Sequence, residues 1–321
     1  MWAITDLDDQ LSKKLNSLVK FSYFNITNFQ EILPQNWRKL LLTYKENEEI
    51  VSFVYINIII KFKFKLIYIP GGIEGKFNSK IILEFKKFID SILDYRSLML
   101  INFHNTEELK TMMPIKFYKV VNLHETRMIM KKNLDCLLDI KSTYTKNWRH
   151  NYNRSLKHNF TIDTNNNPNF NEIIDLYKEM EIIKKYKIFI SKNYLISLFK
   201  NLRKNLIHFE ARSGNKLIAF RTCLYNQNTA WDLLACSNID SKKNYSTYLI
   251  MHEIFTKVIK EKVKIYDFSG IDIKNNIGVY NFKKGTGSYI FSKIGEYAYS
   301  KNLFLKILLI VLIFIKRIFI K

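Results

Sequence analysis

The sequence predicts an α/β protein made of two successive halves, each with mixed strands and helices. Its 321 residues exceed what one compact unit usually holds, so two domains are expected. Apolar spacings typical of helices and of strands alternate along the chain, and the same order of elements recurs after about residue 140. A content of 47% apolar and 15% aromatic residues excludes a disordered chain.

The first half is expected to span residues 1–141. A helix is predicted over 36–46, because Trp37, Leu40 and Leu41 share one side of it. Strands rich in Val, Ile, Phe and Tyr are predicted over 50–60, 62–69 and 98–103, and a second helix over 81–93. The turn signal Pro70-Gly71-Gly72 ends the second of these strands.

The second half is expected to span residues 142–300 and repeats this order, before a last segment over 301–321. Helices are predicted over 143–157, 171–183, 193–203 and 246–261, and strands over 206–211, 216–225, 229–236 and 263–268. A polar loop is expected over 237–244. Ser246 is the predicted N-cap of the last helix, because a serine hydroxyl accepts hydrogen bonds from the first free N–H groups of a helix.

The charge of the chain predicts an anionic partner. Lys and Arg number 51 against 29 Asp and Glu, a formal net charge of +22. This excess suits nucleic acid, a phosphorylated substrate or an anionic membrane face. Alternatively, part of this charge only reflects a residue usage rich in Lys, Asn and Ile.

Cysteine and histidine patterns exclude several kinds of site. Cys136, Cys223 and Cys236 lack CxxC spacing, which argues against a disulfide framework and a zinc site. The six histidines show no metal-ligand spacing, and neither a Ser-His-Asp pattern nor a GxSxG elbow is suggested. The acidic first residues lack the order of a signal peptide. We therefore expect a cytoplasmic protein without a bound metal or cofactor.

Two segments near the C-terminus carry the most informative pattern. An apolar strand delivers Asp267 to its end in Tyr-Asp-Phe-Ser-Gly-Ile-Asp, residues 266–272, and Lys283 and Lys284 then lead into the glycine turn 285–287. Exposed backbone N–H groups and two ammonium charges in one small volume suit phosphate or the oxyanion of an acyl transfer. The alternative is that Asp267 merely ends a strand and the lysines are surface charges.

These segments, YDFSGID and FKKGTG, resemble the closing motif of the FemAB-like aminoacyltransferases, which add amino acids to the stem peptide of peptidoglycan precursors. The resemblance implies two tandem GNAT-type domains with mixed sheets flanked by helices. It implies that Lys283 stabilises the oxyanion, with Lys284 and Gly285 in support, and that Asp267 orients the turn or the nucleophilic amine. Asn102 to Asn105 stand where family members often have an acidic residue, which implies a different acceptor.

Further substrate-binding residues follow from the same resemblance. Tyr68 lies in a Tyr-Ile-Pro-Gly-Gly segment like one that lines the substrate groove, and Tyr248 falls near a substrate-facing tyrosine. Lys185 follows the helix 171–183, where the family tends to place a phosphate-binding arginine. Arg149 lies on one charged face of the helix 143–157 and Arg154 at its edge. The alternatives are that the Tyr68 segment is an ordinary turn, that Tyr248 is a core residue, and that the lysine and the two arginines are solvated surface charges.

The resemblance implies an enzyme that moves an aminoacyl group from aminoacyl-tRNA, its co-substrate, to an amine of a nucleotide- or lipid-linked envelope precursor. An N-acyltransferase that uses acyl-CoA on an envelope sugar is the second hypothesis. Phe282 stands where the CoA motif Arg/Gln-x-x-Gly-x-Gly/Ala needs Arg or Gln, which ranks that hypothesis lower. The third hypothesis is a non-catalytic basic protein that binds nucleic acid or membrane.

The last residues, 303–321, form an apolar segment with scattered lysines. Its uninterrupted apolar core, Ile307 to Ile315, is too short to span a bilayer. Because no polar face is left for water, we expect contact with a membrane surface, peripheral on the inner face of the cytoplasmic membrane. A helix that packs against the first domain is the alternative. We expect the protein to be a monomer.

Overall fold

The structure is a computed structural model, and it describes residues 1–106, 110–111, 118–120, 128–135, 139–184, 190–309 and 311. By internal contacts the chain divides into two compact units, Met1–Met128 with Phe291–Lys321, and Ile129–Ile290. These limits differ from the expected segments 1–141, 142–300 and 301–321. The reason is that residues 293–299 pair with a strand of the first unit, so the chain returns to that unit.

Strands and helices are interspersed along the described chain. The strands are β1 (Trp2–Ile4), β2 (Arg38–Glu46), β3 (Glu49–Lys61), β4 (Phe64–Ile69), β5 (Glu74–Gly75), β6 (Ser97–Thr106), β7 (Tyr118–Val120), β8 (Met128–Asn133), β9 (Thr161–Thr164), β10 (Leu206–Ser213), β11 (Lys216–Tyr225), β12 (Thr229–Ser237), β13 (Ile265–Gly270) and β14 (Tyr289–Tyr299). The helices are α1 (Asp9–Leu18), α2 (Ser79–Ile92), α3 (Lys146–Ser155), α4 (Phe170–Lys184), α5 (Lys192–Leu202), α6 (Ile239–Asn244), α7 (Ser246–Lys260) and α8 (Ile277–Gly285).

The first unit is a mixed sheet with the strand order β1-β2-β3-β4-β6-β14. Neighbouring strands are antiparallel except β4 and β6, which are parallel. Helix α2 covers one face, because Ile81, Ile82, Phe85 and Ile89 recur at helical spacing and are buried. They pack with the inward side chains of the strands in one core.

The second unit is a mixed sheet with the strand order β8-β13-β12-β11-β10-β9. Among the described strand pairs of this sheet, β12 and β13 are the only pair that runs parallel. Trp148 of α3 and Met251, Ile254 and Phe255 of α7 are buried in the core of this unit. Both sheets are therefore flanked by helices, as the sequence predicted.

One predicted helix of the first unit was wrong. Residues 36–46 contain the strand β2, which pairs with β1 on one side and with β3 on the other. Leu41, Leu42, Thr43 and Tyr44 are all buried, and because successive side chains of a strand point to opposite faces, both faces of β2 are covered here. A short continuous apolar run has no period of its own, so it fits a helix as well as a buried strand.

The other predicted strands and helices are confirmed within a few residues, but the connection before α7 is not the loop that was expected. Residues 239–244 form the short helix α6, whose N-cap is the Asn238 side chain. Ser246 is the first residue of α7 rather than its cap, and its hydroxyl lies 2.7 Å from the Ser241 hydroxyl. Tyr245 occupies the cap position, in the left-handed region.

The described start of the C-terminal segment is helical over residues 303–309. Leu305 and Leu309 are buried, and Leu309 packs with Leu98, Leu100 and Ala298 of the first unit. This part therefore follows the alternative reading, a helix that packs on the first domain. No helix among the described residues is long and apolar enough to cross a membrane. Residues 310 and 312–321 lie outside the described part.

Candidate active site

The backbone pairing of two parallel strands in the second unit stops before their carboxyl ends. β12 and β13 pair over residues 229–231 and 265–267. Beyond these pairs β12 continues to Ser237 and β13 to Gly270, and we call the place where the pairing ends the opening. Crevices at the carboxyl ends of diverging strands are frequent ligand sites in α/β folds. We therefore place the candidate site at this opening.

Asp267 shapes the end of β13. Its Oδ1 accepts a hydrogen bond from the backbone N–H of Ser269 at 2.7 Å, and Ser269 has a φ of 62°. An aspartate that accepts from the N–H two residues later forms an Asx-turn, which tolerates this left-handed conformation. Ser269 Oγ donates to the carbonyl of Asp232 at 3.0 Å, which links β13 to β12. Asp267 therefore orients the turn through its hydrogen bond with the Ser269 N–H. Its predicted role in orienting the nucleophilic amine stays a prediction.

Lys283 reaches from α8 to the same turn. Its Nζ donates to the carbonyls of Phe268 at 2.6 Å and Gly270 at 2.7 Å, and the residue is 7% exposed. An ammonium group has three N–H donors, so one of them has no partner among the described residues. Burial lowers the pKa of Lys283 to about 8, although the charges of Asp232 and Asp267 oppose this shift.

An ion pair that the sequence analysis missed lies near this lysine. Arg221 Nη1 and Asp232 Oδ2 are 3.0 Å apart, and their side chains are 12% and 10% exposed. The Tyr266 hydroxyl donates to Asp232 Oδ1 at 3.3 Å, and the Arg221 guanidinium lies 5.3 Å from the centroid of the Phe282 ring. The sequence signal was Arg221, a charged residue in the middle of the mostly apolar strand 216–225, where burial requires a partner.

Lys132 is a second buried lysine that the sequence analysis missed. Its Nζ donates to Thr143 Oγ1 at 2.7 Å and to the carbonyl of Thr286 at 2.5 Å. Thr286 follows the last residue of α8, so this cation faces the negative end of the helix dipole. Burial lowers the pKa of Lys132 to about 8. Lys132 and Lys283 together hold the last turn of α8 in place.

The segment 285–287 is not the exposed glycine turn that was predicted. Lys283 and Lys284 lie in the last turn of α8, and the N–H groups of Thr286 and Gly287 donate to the carbonyls of these lysines. The C-terminus of a helix presents carbonyl groups and uses its N–H groups internally. The predicted cradle of free N–H groups was therefore wrong.

Gly285 has a packing role. A Cβ added there would lie 2.7 Å from Trp148 Cδ1, so the indole of α3 rests on the backbone of α8. The carbonyl of Gly285 accepts a hydrogen bond from Thr145 N at 2.9 Å. Lys284 is exposed, with its Nζ 5.7 Å from the centroid of the Tyr280 ring. Substrate binding by Lys284 and Gly285 stays a prediction.

The other predicted residues of the second unit separate into two places. Tyr248 is half-buried, accepts a hydrogen bond from Asn151 Nδ2 at 3.0 Å and lies 5.2 Å, centroid to centroid, from the Phe282 ring. It therefore stands near α8. Arg149 and Arg154 are exposed on the outer side of α3. Their substrate contacts, like that of Tyr248, stay predictions.

Tyr68 belongs to the first unit, where it is half-buried with its ring 5.9 Å from that of Trp37. The glycines after it are needed for close packing, because a Cβ would lie 2.4 Å from Asn25 Oδ1 at Gly71 and 2.4 Å from the Asn102 carbonyl at Gly72. Lys185 and Cys136 lie outside the described residues. Among those described, no group of His, Cys, Asp or Glu could hold a metal ion, and the absence of a metal stays a prediction.

Comparison with known protein families identifies the segment that contains this site. The model of the FemAB family matches residues 149–308, about half of the chain. The match includes β12, β13 and α8, and with them Asp267 and Lys283. The chain belongs to the FemAB family.

Solved structures support the same fold over nearly the whole FemAB-family chain. FemX superposes with a TM-score of 0.80 at 14% identity, over 95% of this chain and 99% of FemX. L-PGS from Bacillus licheniformis gives 0.56 at 15% identity, over 95% and 96% of the two chains. A tandem GNAT protein from the clavulanic acid biosynthesis pathway gives 0.53 at 7% identity, over 93% and 97%. No curated protein sequence matches the chain.

At these identities the structural likeness establishes the fold, two tandem GNAT-like domains, which confirms what the motif resemblance implied. The FemAB family and this fold together make the chain an acyltransferase. The matched segment begins at Arg149, so Tyr68 of the first unit lies outside it.

Proposed function

We propose that this chain transfers an aminoacyl group from aminoacyl-tRNA to an amine of a nucleotide- or lipid-linked cell-envelope precursor. The observation that carries the proposal is the buried ammonium group of Lys283 at the opening between β12 and β13, within the segment that matches the FemAB family. The motif resemblance adds the donor and the kind of acceptor.

The reaction needs alignment and charge stabilisation, because an aminoacyl ester is already activated. The nitrogen of the acceptor amine attacks the ester carbonyl carbon, and a C–N bond forms as the C–O bond to the ribose breaks. The proton that leaves the amine is taken up by the departing ribose oxygen, which becomes a hydroxyl group. Negative charge develops on the carbonyl oxygen between these events, and a fixed donor in a site shielded from water stabilises it.

Lys283 is suited to this task because its direction is fixed. Two carbonyls hold its Nζ, so the remaining N–H cannot swing freely, and one preorganised oxyanion donor contributes about 10²–10³-fold in rate. Arg221 pairs with Asp232. This pairing reduces the extent to which the carboxylate offsets the charge of Lys283.

Acyl-CoA is the second candidate donor, since the fold also matches the tandem GNAT protein described as solved without AcCoA. Glycine-rich N–H groups at a helix N-terminus commonly bind a pyrophosphate. The segment 237–245 before α7 contains no glycine, and it carries α6, capped by Asn238. The segment before α7 therefore lacks the glycine-rich N–H groups that would bind a pyrophosphate, which favours a donor other than acyl-CoA.

The test supplies each donor separately. The protein is incubated with tRNAs charged with radiolabelled amino acids, or with radiolabelled acetyl-CoA, together with a pool of envelope precursors. We expect label to pass to a precursor from charged tRNA and not from acetyl-CoA. Transfer from acetyl-CoA alone would support the second candidate. No transfer from either donor would support the third hypothesis, a basic binding protein.

A further inference from the structure

The exposed side of α3 and of the residues just after it is cationic along its length. Lys146, Arg149, His150, Arg154 and Lys157 are all exposed. No Asp or Glu occurs between Asp139 and Asp163 in the sequence. We call these five residues the α3 surface.

A basic composition does not by itself explain the α3 surface. Helix α4 of the same unit mixes its lysines with Glu172, Asp175, Glu179 and Glu181, and Lys178 pairs with Asp175 at 2.9 Å. Like charges three or four residues apart destabilise a helix. An unmixed cationic face therefore carries a cost that a mixed face avoids, which indicates an anionic ligand.

An open groove of about 740 Å³ runs along this side of α3. Its described lining is Lys146, Asn147, Arg149, His150 and Asn153. Each of these side chains can donate hydrogen bonds to phosphate oxygens. The described lining therefore suits a ligand that carries phosphate groups.

Planar groups stack at the C-terminal end of α3. The Arg154 guanidinium carbon lies 4.2 Å from the centroid of the Tyr245 ring, and the ring of His158 lies 6.1 Å from that of Tyr245 at an angle of 29°. Tyr245 is held between α6 and α7 with a φ of 57°. Aromatic rings and guanidinium planes are the groups on which unpaired RNA bases stack.

We propose that the α3 surface binds the acceptor arm of the donor tRNA, with phosphates in the groove and an unpaired base near the 3′ end on the Arg154–Tyr245–His158 stack. This inference rests on the proposed function. Helix α3 leads to the reaction site, because Thr145 N donates to the Gly285 carbonyl and Trp148 packs on Gly285, two residues after Lys283. RNA that runs from the stack at the C-terminal end of α3 along the groove to the N-terminal end therefore ends beside α8.

The first experiment measures binding of bulk uncharged tRNA at several salt concentrations. The variant combines Lys146→Gln, Arg149→Gln and Lys157→Gln. The matched control combines Lys178→Gln, Lys200→Gln and Lys204→Gln, exposed residues of the same unit away from α3. Both lose three positive charges. We expect the α3 variant to bind about tenfold or more weakly near 0.1 M salt, with the slope of log K against log salt shallower by about 2, and the control to stay within about twofold of the wild type.

The second experiment tests the stack with tRNA that lacks its last three 3′ nucleotides. For the wild type we expect this trimming to weaken binding by about tenfold, the scale of one stacked base. For Tyr245→Leu we expect trimming to weaken binding less than it does for the wild type, because the stacking contribution is already absent. If trimming weakens the binding of Tyr245→Leu as much as that of the wild type, the stack has no part in binding.

The outcomes separate this inference from the proposed function. Equal losses in the α3 variant and its control, or no loss in either, would overturn the inference even if charged tRNA serves as donor. So would binding to vesicles of anionic phospholipid that needs the α3 surface, together with tRNA binding that does not. Specific tRNA binding through α3 without transfer from charged tRNA would uphold the inference and reject the proposed function.

Discussion

Lys283 differs from a surface lysine in where its N–H groups point. Two of them fix the carbonyls of Phe268 and Gly270, which the Asx-turn of Asp267 has brought to the end of β13. The side chain therefore connects α8 to β13 through hydrogen bonds, and it also places a cation at the opening. These two roles predict two separate measurable losses when the ammonium group is removed.

Lys283→Met is expected to lower both stability and activity. The buried carbonyl of Phe268 and the partly buried carbonyl of Gly270 lose their donor, and an unsatisfied buried group costs about 1–3 kcal/mol of the free energy of unfolding. Loss of an oxyanion donor is expected to lower the transfer rate by about 10²-fold or more. Denaturant unfolding measures the first effect, and single-turnover transfer far below the melting temperature measures the second.

The matched control is Lys274→Met in the exposed segment before α8, which should change neither quantity. If Lys283→Met is destabilised but transfers at the normal rate, Lys283 only connects α8 to β13 and has no part in the reaction.

The lowered pKa of Lys283 predicts opposite pH trends for activity and stability. If the ammonium form is required, transfer should fall about tenfold per pH unit above the folded-state pKa of about 8. The folded pKa lies below the ordinary value of 10.5, so between these two values the unfolded chain binds the proton more tightly. The contribution of this group to the free energy of unfolding therefore rises with pH across that window.

Rate and unfolding measurements from about pH 7 to 10 check this pair of trends. Lys132 has a similarly lowered pKa, so Lys132→Met should keep the fall in activity and lose part of the rise in stability. A transfer rate of the wild type that stays level through pH 9 would show that the charge of Lys283 is not used.

At the scale of elements, the contact between α3 and α8 depends on the missing side chain of Gly285. The indole of Trp148 fills the space where a Cβ would stand, and Tyr248 and Phe282 pack beside it. The position of α8, and with it the Nζ of Lys283, is therefore set in part by close packing on α3.

Substitutions at two glycines of α8, one packed against Trp148 and one open, test this packing. Gly285→Ala should cost about 1–3 kcal/mol of unfolding free energy, the usual range for overpacking, and should lower transfer because α8 shifts. At Gly278 nothing lies within 4 Å of an added Cβ, so Gly278→Ala should be neutral or stabilise by about 0.5–1 kcal/mol through helix propensity. Denaturant unfolding of both variants decides. Equal effects at the two positions would contradict the packing role of Gly285.

The helical start of the C-terminal segment has two sides with different expected roles. Leu305 and Leu309 are buried, whereas Phe304 and Ile307 are 67% and 51% exposed. We expect Leu305→Ala with Leu309→Ala to lower the free energy of unfolding by about 2 kcal/mol or more. Phe304→Ala with Ile307→Ala should leave stability within about 0.5 kcal/mol and weaken binding to anionic vesicles.

Vesicle co-sedimentation and unfolding, measured on the same two variants, separate packing from membrane contact. If the exposed-side variant binds vesicles as the wild type does, or if the wild type does not bind them, the predicted membrane contact of residues 303–321 fails.

At the scale of the whole molecule, the net charge of +22 bears on the donor. A protein that holds a long polyanion releases counterions from it, so its affinity falls steeply with salt, whereas CoA carries few phosphates. The KM for the donor should therefore rise steeply with salt if the donor is charged tRNA, and weakly if it is acyl-CoA.

Ribonuclease provides an independent measurement of the donor. In a crude extract supplied with amino acid and ATP, we expect transfer to vanish after ribonuclease treatment and to return when the nuclease is inhibited and charged tRNA is added. Transfer that survives the nuclease and requires acyl-CoA would reject the tRNA-dependent reaction.

Prediction from sequence succeeded where a segment carries a clear period over its whole length. The strand 216–225 and the helix beginning at residue 246 lie where their patterns placed them, and the two C-terminal motifs indicated the family. It failed at residues 38–46, where a short apolar run had no period to distinguish a buried strand from a helix. It also failed at residues 239–244, where a polar segment was expected to be a loop.

The sequence by itself determined the α/β class, the order of most elements, and Asp267 and Lys283 as the residues to examine. Only the tertiary structure decided what these residues contact: the Asx-turn, the two carbonyls that hold Lys283, the Arg221–Asp232 pair, the buried Lys132 and the indole on Gly285. The reason is physical. Local patterns report the spacing of side chains along one segment. Each of these contacts, apart from the Asx-turn, joins two different segments, 11 residues apart for Arg221 and Asp232 and 154 for Lys132 and Thr286, and depends on burial that only packing creates.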